Sequence, residues 1–114
     1  MDSNSILTSV KKTLGIAEEY EHFDLDIIMH INTTFMILAQ IGVGPKNGFS
    51  ITDKSSEWSD FIPETDKCYE CVKTYVGLRV RIAFDPPTNS TILGCVKDTL
   101  KELEWRIKIL TETE

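Results

Sequence analysis

The longest unbroken helical pattern in the chain runs from Asp66 to Phe84 and is apolar around most of its circumference. It contains no proline, Asp66 is placed to cap its start, and Pro86 and Pro87 prevent its continuation. Its apolar positions fall on two sides of a helix: Cys68, Val72, Tyr75, Val76, Ile82 and Ala83 on one, and Tyr69, Val80 and Phe84 on the other. A helix that is apolar on most sides is usually enclosed by neighbours. The pattern therefore predicts the central helix of the fold.

A short amphipathic helix is predicted for residues 3–14. Its apolar positions recur at helical spacing: Ile6, Leu7, Val10 and Leu14. Ser3 or Ser5 can cap its start, Gly15 can supply a left-handed stop, and two lysines in the last turn complement the helix dipole. An acidic linker, residues 16–23, follows it.

A second amphipathic helix is predicted to open at Asp24 and to close before Pro45. Its buried face is expected to consist of Ile27, Ile28, Ile31, Phe35, Leu38 and Ile41. Asp24 or Asp26 can cap the start, and Gly42 or Gly44 can end the helix.

Residues 43–65, the long loop, exceed the usual loop length of about four to six residues. Residues 49–52 alternate apolar and polar side chains, which predicts a short strand or extended segment. The loop carries four large apolar side chains: Phe49, Ile51, Trp58 and Phe61. These must either fold back on the core of the chain or reach for another surface. We expect some of the aromatic side chains to meet another chain, since aromatic residues are enriched at interfaces.

A final helix is predicted after Pro86 and Pro87, with Asn89 or Ser90 as its cap. Its apolar stripe is Ile92, Val96, Leu100, Leu103, Ile107 and Leu110. Two surface ion pairs are expected at i, i+4 spacing: Glu102–Arg106 and Glu104–Lys108. Trp105 lies off the stripe and is a candidate contact for a neighbour. The fold class is thus all-α, a small bundle of four to five helices with one long loop carrying a short extended or β segment.

Composition narrows the function classes. The chain has 114 residues, the size of one ordinary domain, and a net charge of −6. That charge argues against a protein whose main task is to neutralise phosphates, although it allows a surface past which DNA slides. No apolar run reaches the roughly 18 residues of a membrane span, and the first residues lack the order of a signal peptide. Three cysteines cannot all pair, which favours a reducing compartment.

No motif in the sequence predicts catalysis or a cofactor. Cys68 and Cys71 have C-x-x-C spacing, but a zinc site needs two more ligands and no second pair is present. We interpret these cysteines as small residues on a core face. Asp26 and His30 share one helical turn, yet acids at a helix start are expected from capping alone. Residues 42–46, Gly-Val-Gly-Pro-Lys, lack the Gly-Lys-Ser/Thr ending of a phosphate-binding loop.

Four residue runs, taken together, resemble the small head–tail connector, or adaptor, proteins of tailed bacteriophages and prophages. They are Ile6 to Gly15, Phe23 to Pro45, Gly48 to Phe61, and Val72 to Pro87 with the Glu102–Arg106 run after it. They cover nearly the whole chain in the family's order. The likeness lies in their combination, since no single run is a catalytic signature. Cys68 and Cys71 depart from the family's pattern.

The resemblance implies one helical connector domain over residues 1–114, without enzymatic activity. It implies a dodecameric ring in the virion, at the head–tail junction, after assembly in the cytoplasm of the bacterial host. The expected partners are other copies of the chain, the portal protein and the tail-side connector or stopper protein, with DNA passing through the channel and no membrane involved. The alternative is a small phage- or prophage-encoded helical interaction or regulatory module, also without activity.

A ring of identical subunits needs two different patches that meet across each interface. One candidate patch is the long loop, with Phe49, Ile51, Trp58 and Phe61 as its apolar centre and Asp53, Glu57 and Asp60 as its acids. The other is the outer side of the last two helices: Arg79, Arg81, Lys101 and Trp105. The pairing of these acids with these bases is a hypothesis based on complementary charge.

Overall fold

The computed structural model describes residues 4–112, which form five helices. They are α1 (Ile6–Leu14), α2 (Asp24–Ile41), α3 (Trp58–Phe61), α4 (Tyr69–Phe84) and α5 (Ser90–Glu112). Within residues 4–112 the only extended pairing is an isolated bridge between Ser5 and Glu57. The predicted all-α bundle of four to five helices is confirmed.

Helix α4 is the centre of the bundle, as predicted, and packs against α1, α2 and α5. Val72, Tyr75, Val76 and Val80 are fully buried along it. The helix begins at Tyr69 rather than Asp66, because the carboxylate of Asp66 accepts a hydrogen bond from the backbone N–H of Cys68 at 2.8 Å and closes a turn ahead of the helix. It ends at Phe84, ahead of the two prolines.

Two glycines end the first two helices, as predicted. Gly15 and Gly42 have φ values of 79° and 107°, the left-handed region that favours glycine. At the start of α1 the side chain of Ser5 accepts a hydrogen bond from the N–H of Thr8 at 3.2 Å, so Ser5 is the cap. Ser3, the other predicted cap, lies outside the described residues.

The prediction that Asp24 or Asp26 caps α2 is wrong. Phe23 occupies the cap position and makes no side-chain capping bond. The carboxylate of Asp24 lies instead 2.8 Å from Nζ of Lys11 in α1. An ion pair between two helices has replaced the local bond that the sequence suggested.

The long loop contains no strand at residues 49–52 in the described structure. Ile51 is held by a side chain instead: its N–H donates to Oδ1 of Asn32 at 2.8 Å, and its carbonyl accepts from Nδ2 of Asn32 at 3.0 Å. One asparagine of α2 satisfies both backbone groups of Ile51, as a neighbouring strand would. The apolar–polar alternation arose because Ile51 points into the core, where it is 2% exposed.

Helix α5 covers one side of α4 with Leu100 and Ile107, its buried residues. The predicted pair between Glu102 and Arg106 is present, with 2.9 Å from the carboxylate to Nε. Glu104 does not form the predicted surface pair with Lys108. It turns inward and accepts a hydrogen bond from the hydroxyl of Tyr75 at 2.7 Å.

Candidate assembly surfaces

The apolar side chains of the long loop fold back onto the core of the chain. Trp58, Phe61 and Ile51 are 2–4% exposed, and Phe49 is half-buried. Rings of Phe35, Phe49 and Phe61 lie with centroids 4.5–5.3 Å apart. The expectation that these aromatic side chains meet another chain therefore needs correction for Trp58 and Phe61, because both are already buried within one subunit.

Trp58 is also fixed by a hydrogen bond. Its indole Nε1–H donates to the hydroxyl of Ser9 in α1 at 2.8 Å. The backbone N–H of Trp58 donates to the carbonyl of Asn4, and the N–H of Ile6 donates to the carbonyl of Ser56, each at 3.0 Å. These bonds hold the long loop against the start of α1.

The three predicted acids of the long loop are on the surface but bound locally. Asp53 accepts hydrogen bonds from the hydroxyl and the N–H of Ser55, which lower the pKa of its carboxyl. Glu57 and Asp60 cap α3 reciprocally, since the side chain of each accepts a hydrogen bond from the backbone N–H of the other. Their carboxylates stabilise the loop first and offer fewer free lone pairs to a partner.

Two of the predicted bases, Arg79 and Lys101, come together in a groove between α2, α4 and α5. We call it the basic groove. It encloses about 490 Å³ and is lined by His30, Thr33, Thr34, Arg79, Ile82, Ala83, Lys97, Leu100, Lys101 and Glu104. Arg81 is two positions beyond Arg79, about 200° around α4, and so lies on another side of the helix. Lys97, which precedes Lys101 by one helical turn, was not predicted from the sequence.

The inner end of the basic groove is a small polar network. Glu104 accepts from the Tyr75 hydroxyl and lies 3.6 Å from a guanidinium nitrogen of Arg79. The guanidinium of Arg79 in turn lies 5.9 Å from the centre of the Tyr75 ring. Burial, together with the bond to Glu104, raises the pKa of Tyr75 far above its ordinary value. The network joins α4 to α5 and fixes Arg79 at the edge of the groove.

Two helices carry large apolar side chains on their outward faces. On α2 these are Leu25, Met29 and Met36, which are 56–81% exposed. They recur at intervals of four and seven residues, so they form one stripe of the helix. On α5 they are Ile92 near the start of the helix and, further along, Trp105, as predicted, with Ile109 one turn beyond it. The α2 stripe was not recognised in the sequence, where the buried face of the same helix gave the stronger signal.

The acidic linker after α1 is attached through a buried lysine. Lys11 is 2% exposed, and its Nζ donates to the carbonyls of Glu18 at 2.9 Å and Tyr20 at 2.7 Å while it pairs with Asp24. We call residues 18–21, Glu-Glu-Tyr-Glu, the acidic turn. All four of its side chains are exposed. Two carbonyls of the turn, those of Glu18 and Tyr20, thus point inward to Lys11.

The cysteines and histidines lie apart. Cys68 is buried, Cys71 half-buried and Cys95 exposed. Among residues 4–112 no three histidine, cysteine or acidic side chains group as metal ligands would. None of the described helices has the length and apolar character needed to cross a membrane.

Comparison with known protein families identifies a match over nearly the whole chain. The model of a family described as phage connector protein matches residues 6–114 of the chain. No curated protein and no solved structure matches significantly.

Proposed function

The chain belongs to the phage connector protein family, and from that membership we propose that it is the subunit of a head–tail connector ring through which DNA passes. The observation that carries the proposal is the extent of the match, residues 6–114, which includes every helix of the bundle. The proposed ring is dodecameric in the virion, with the portal protein on one side and the tail-side connector or stopper protein on the other. The subunit is made in the host cytoplasm before it joins the virion.

We propose a structural and not an enzymatic role. The basic groove is the candidate place for chemistry, and its carboxylate, Glu104, is engaged by both Tyr75 and Arg79. A general base needs a free lone pair aimed at the proton it removes. The arrangement supports recognition of a partner better than proton transfer.

The charge of the subunit supports passage of DNA without retention. The net charge is −6, and exposed acids occur in the acidic turn, the long loop and α5. A channel of predominantly negative potential repels phosphates and leaves no basic surface to hold them. DNA is expected to slide through such a ring.

The two outward apolar faces supply the different patches that a closed ring requires. The α2 stripe and the Trp105 face of α5 lie on separate helices, each on the side turned away from the core. A heterologous contact joins one face of a subunit to a different face of the next. Repeated contacts form a closed ring when the rotation from one subunit to the next is a whole-number fraction of 360°. We propose that Trp105, which is 59% exposed in the isolated subunit, is an anchor of this contact, since tryptophan is enriched among the residues that dominate interface binding energy.

Light scattering over a concentration series tests the role of Trp105. The change Trp105→Ser is expected to shift the midpoint of association at least about tenfold to higher concentration, as loss of an anchor does. Because Trp105 is 59% exposed, helical circular dichroism is expected to stay unchanged. The matched control is Ile92→Ser, which removes a comparably exposed side chain about 20 Å away along α5. Equal association of the Trp105 variant and the wild type would remove Trp105 from the contact.

A further inference from the structure

The basic groove has the opposite sign to most of the subunit surface. Arg79, Lys97 and Lys101 line it together with His30, against the single carboxylate of Glu104, which Arg79 and Tyr75 already engage. Lys97 and Lys101 are exposed at the rim. In a chain of net charge −6, this cluster is complementary to the exterior of another copy of the same chain.

The acidic turn has the composition that such a groove would accept. It presents three glutamates around Tyr20, which is 50% exposed although it is a large aromatic side chain. The floor of the groove includes Ile82 and Leu100, which offer apolar contact to a ring. Carboxylates at the rim and an aromatic ring on the floor would match both parts of the groove.

The acidic turn is also held ready for such a contact. Lys11 binds the carbonyls of Glu18 and Tyr20, and the N–H of Tyr20 donates to the carbonyl of Ala17 at 3.1 Å. The backbone is thereby fixed while the side chains stay exposed. A segment ordered before binding loses less conformational entropy when it docks.

The acidic turn does not occupy the groove of its own copy, because Tyr20 packs against Phe23, and Phe23 against Phe84 at the end of α4, with ring centroids 5.9 and 5.3 Å apart. Helix α1, which holds the turn through Lys11, meets α4 at Gly77, where an added Cβ would lie 3.3 Å from the side chain of Thr13. Arg79, at the groove, is two positions further and therefore about 200° around the helix. Two complementary patches on different parts of one subunit produce a head-to-tail contact.

We propose that the acidic turn, Glu18–Glu21, of one subunit docks into the basic groove of the next subunit. The proposal rests on the ring proposed above and deepens it, because it assigns the charged part of the contact. It replaces the acids of the long loop, which are bound locally, with glutamates whose carboxylates point to solvent.

A charge exchange tests the docking. One variant reverses the turn, Glu19→Lys with Glu21→Lys, and a second reverses the groove, Lys97→Glu with Lys101→Glu. All four side chains are exposed, so circular dichroism is expected to stay that of the wild type. Each variant alone is expected to associate at least about tenfold more weakly in light scattering at low salt, since like charges then face each other. The variant carrying all four changes is expected to recover association.

Two control variants reverse the same numbers of charges outside the proposed contact. They are Lys46→Glu with Lys54→Glu for the groove, and Glu64→Lys with Glu70→Lys for the turn, all exposed positions in the long loop or at the start of α4. Both are expected to associate within about threefold of the wild type, as changes to surface charges away from a contact do.

The outcomes separate the docking from the ring. Rings that form normally in the turn and groove variants would overturn the docking and leave the connector proposal intact. Weakening by the groove variant alone, without recovery in the fourfold variant, would overturn the acidic turn as the occupant. A wild-type chain that stays monomeric at every concentration, alone and with portal protein, would overturn both.

Discussion

At the scale of single residues, Trp58 decides whether the long loop belongs to the core or to the interface. It is 2% exposed and donates a hydrogen bond to Ser9, so Trp58→Ala is expected to lower the free energy of unfolding by about 3–5 kcal/mol. The milder change Trp58→Phe keeps an aromatic ring and loses mainly the hydrogen bond, at a cost of about 1 kcal/mol. Urea unfolding followed by circular dichroism measures both. A folded Trp58→Ala subunit of unchanged stability would show that the side chain is not a core residue.

Gly44 provides a second test of how the loop packs. Its φ is 91°, and an added Cβ would collide with the ring of Phe61. Gly44→Ala is therefore expected to cost about 2–4 kcal/mol, from backbone strain and from overpacking together. Gly48 is the matched control, because its φ is 88° but nothing lies within 4 Å of its Cβ position. Gly48→Ala should cost only the strain, about 1 kcal/mol, in the same unfolding experiment. Equal costs at the two positions would show that the contact with Phe61 is unimportant.

The residues whose roles were not predicted from the sequence are those whose hydrogen-bond partners lie outside their own helix. Ser5, Gly15 and Gly42 act on their own helix ends, and their roles were predicted. Lys11 and Asn32 instead serve segments brought to them by the fold, the acidic turn and Ile51. Lys11 lies on the apolar face of α1, four residues after Leu7, and this position was the signal in the sequence for its burial. Periodicity gives the face of a helix but not the partner across it.

At the scale of elements, the hydrogen bond from Tyr75 to Glu104 ties α4 to α5. Tyr75→Phe is expected to lower stability near neutral pH by about 1.5–3 kcal/mol, the usual range for a hydrogen bond to a charged group. Burial, with the bond to Glu104, raises the pKa of Tyr75 in the folded state. Its contribution is thus fully present below the unfolded pKa of about 10 and is lost as the pH rises above it.

Chemical unfolding between pH 8 and pH 11, a range that brackets the unfolded tyrosine pKa of about 10, checks the direction of this pH dependence. The wild type is expected to lose stability at the alkaline end, and the difference from Tyr75→Phe is expected to shrink there. Comparing the two chains cancels the contributions of the other tyrosines. A difference that stays constant across the range would contradict the role assigned to the phenol.

The elements themselves were largely predictable, and the loop was not. Strong apolar periodicity predicted four helices and the central position of α4, all of which the structure shows. Residues 49–52 were predicted to form a short strand or an extended segment. The described structure has no strand there, and the side chain of Asn32 satisfies the backbone of Ile51 instead. Helix α3 has only four residues, too few for a periodic signal, and depends on the reciprocal caps of Glu57 and Asp60.

At the scale of the whole molecule, the large apolar side chains that remain on the surface of the described chain belong, apart from Tyr20, to α2 and α5 and not to the long loop. The loop's side chains fill the core, while Leu25, Met29 and Met36 on α2 and Trp105 on α5 are exposed. Exposed apolar side chains grouped on two helices mark interaction surfaces more than scattered single ones do. The subunit is therefore a folded bundle whose unused apolar faces point outward, as a ring component requires.

Electron microscopy of the purified chain, alone and mixed with its portal protein, tests the connector ring most directly. Closed rings with a central channel wide enough for a DNA duplex and one rotational symmetry in class averages are expected, either spontaneously or on the portal. Fewer rings are expected with Trp105→Ser at the same concentration. Monomers or two-fold dimers under every condition, with portal present and the chain fully folded, would contradict the connector ring.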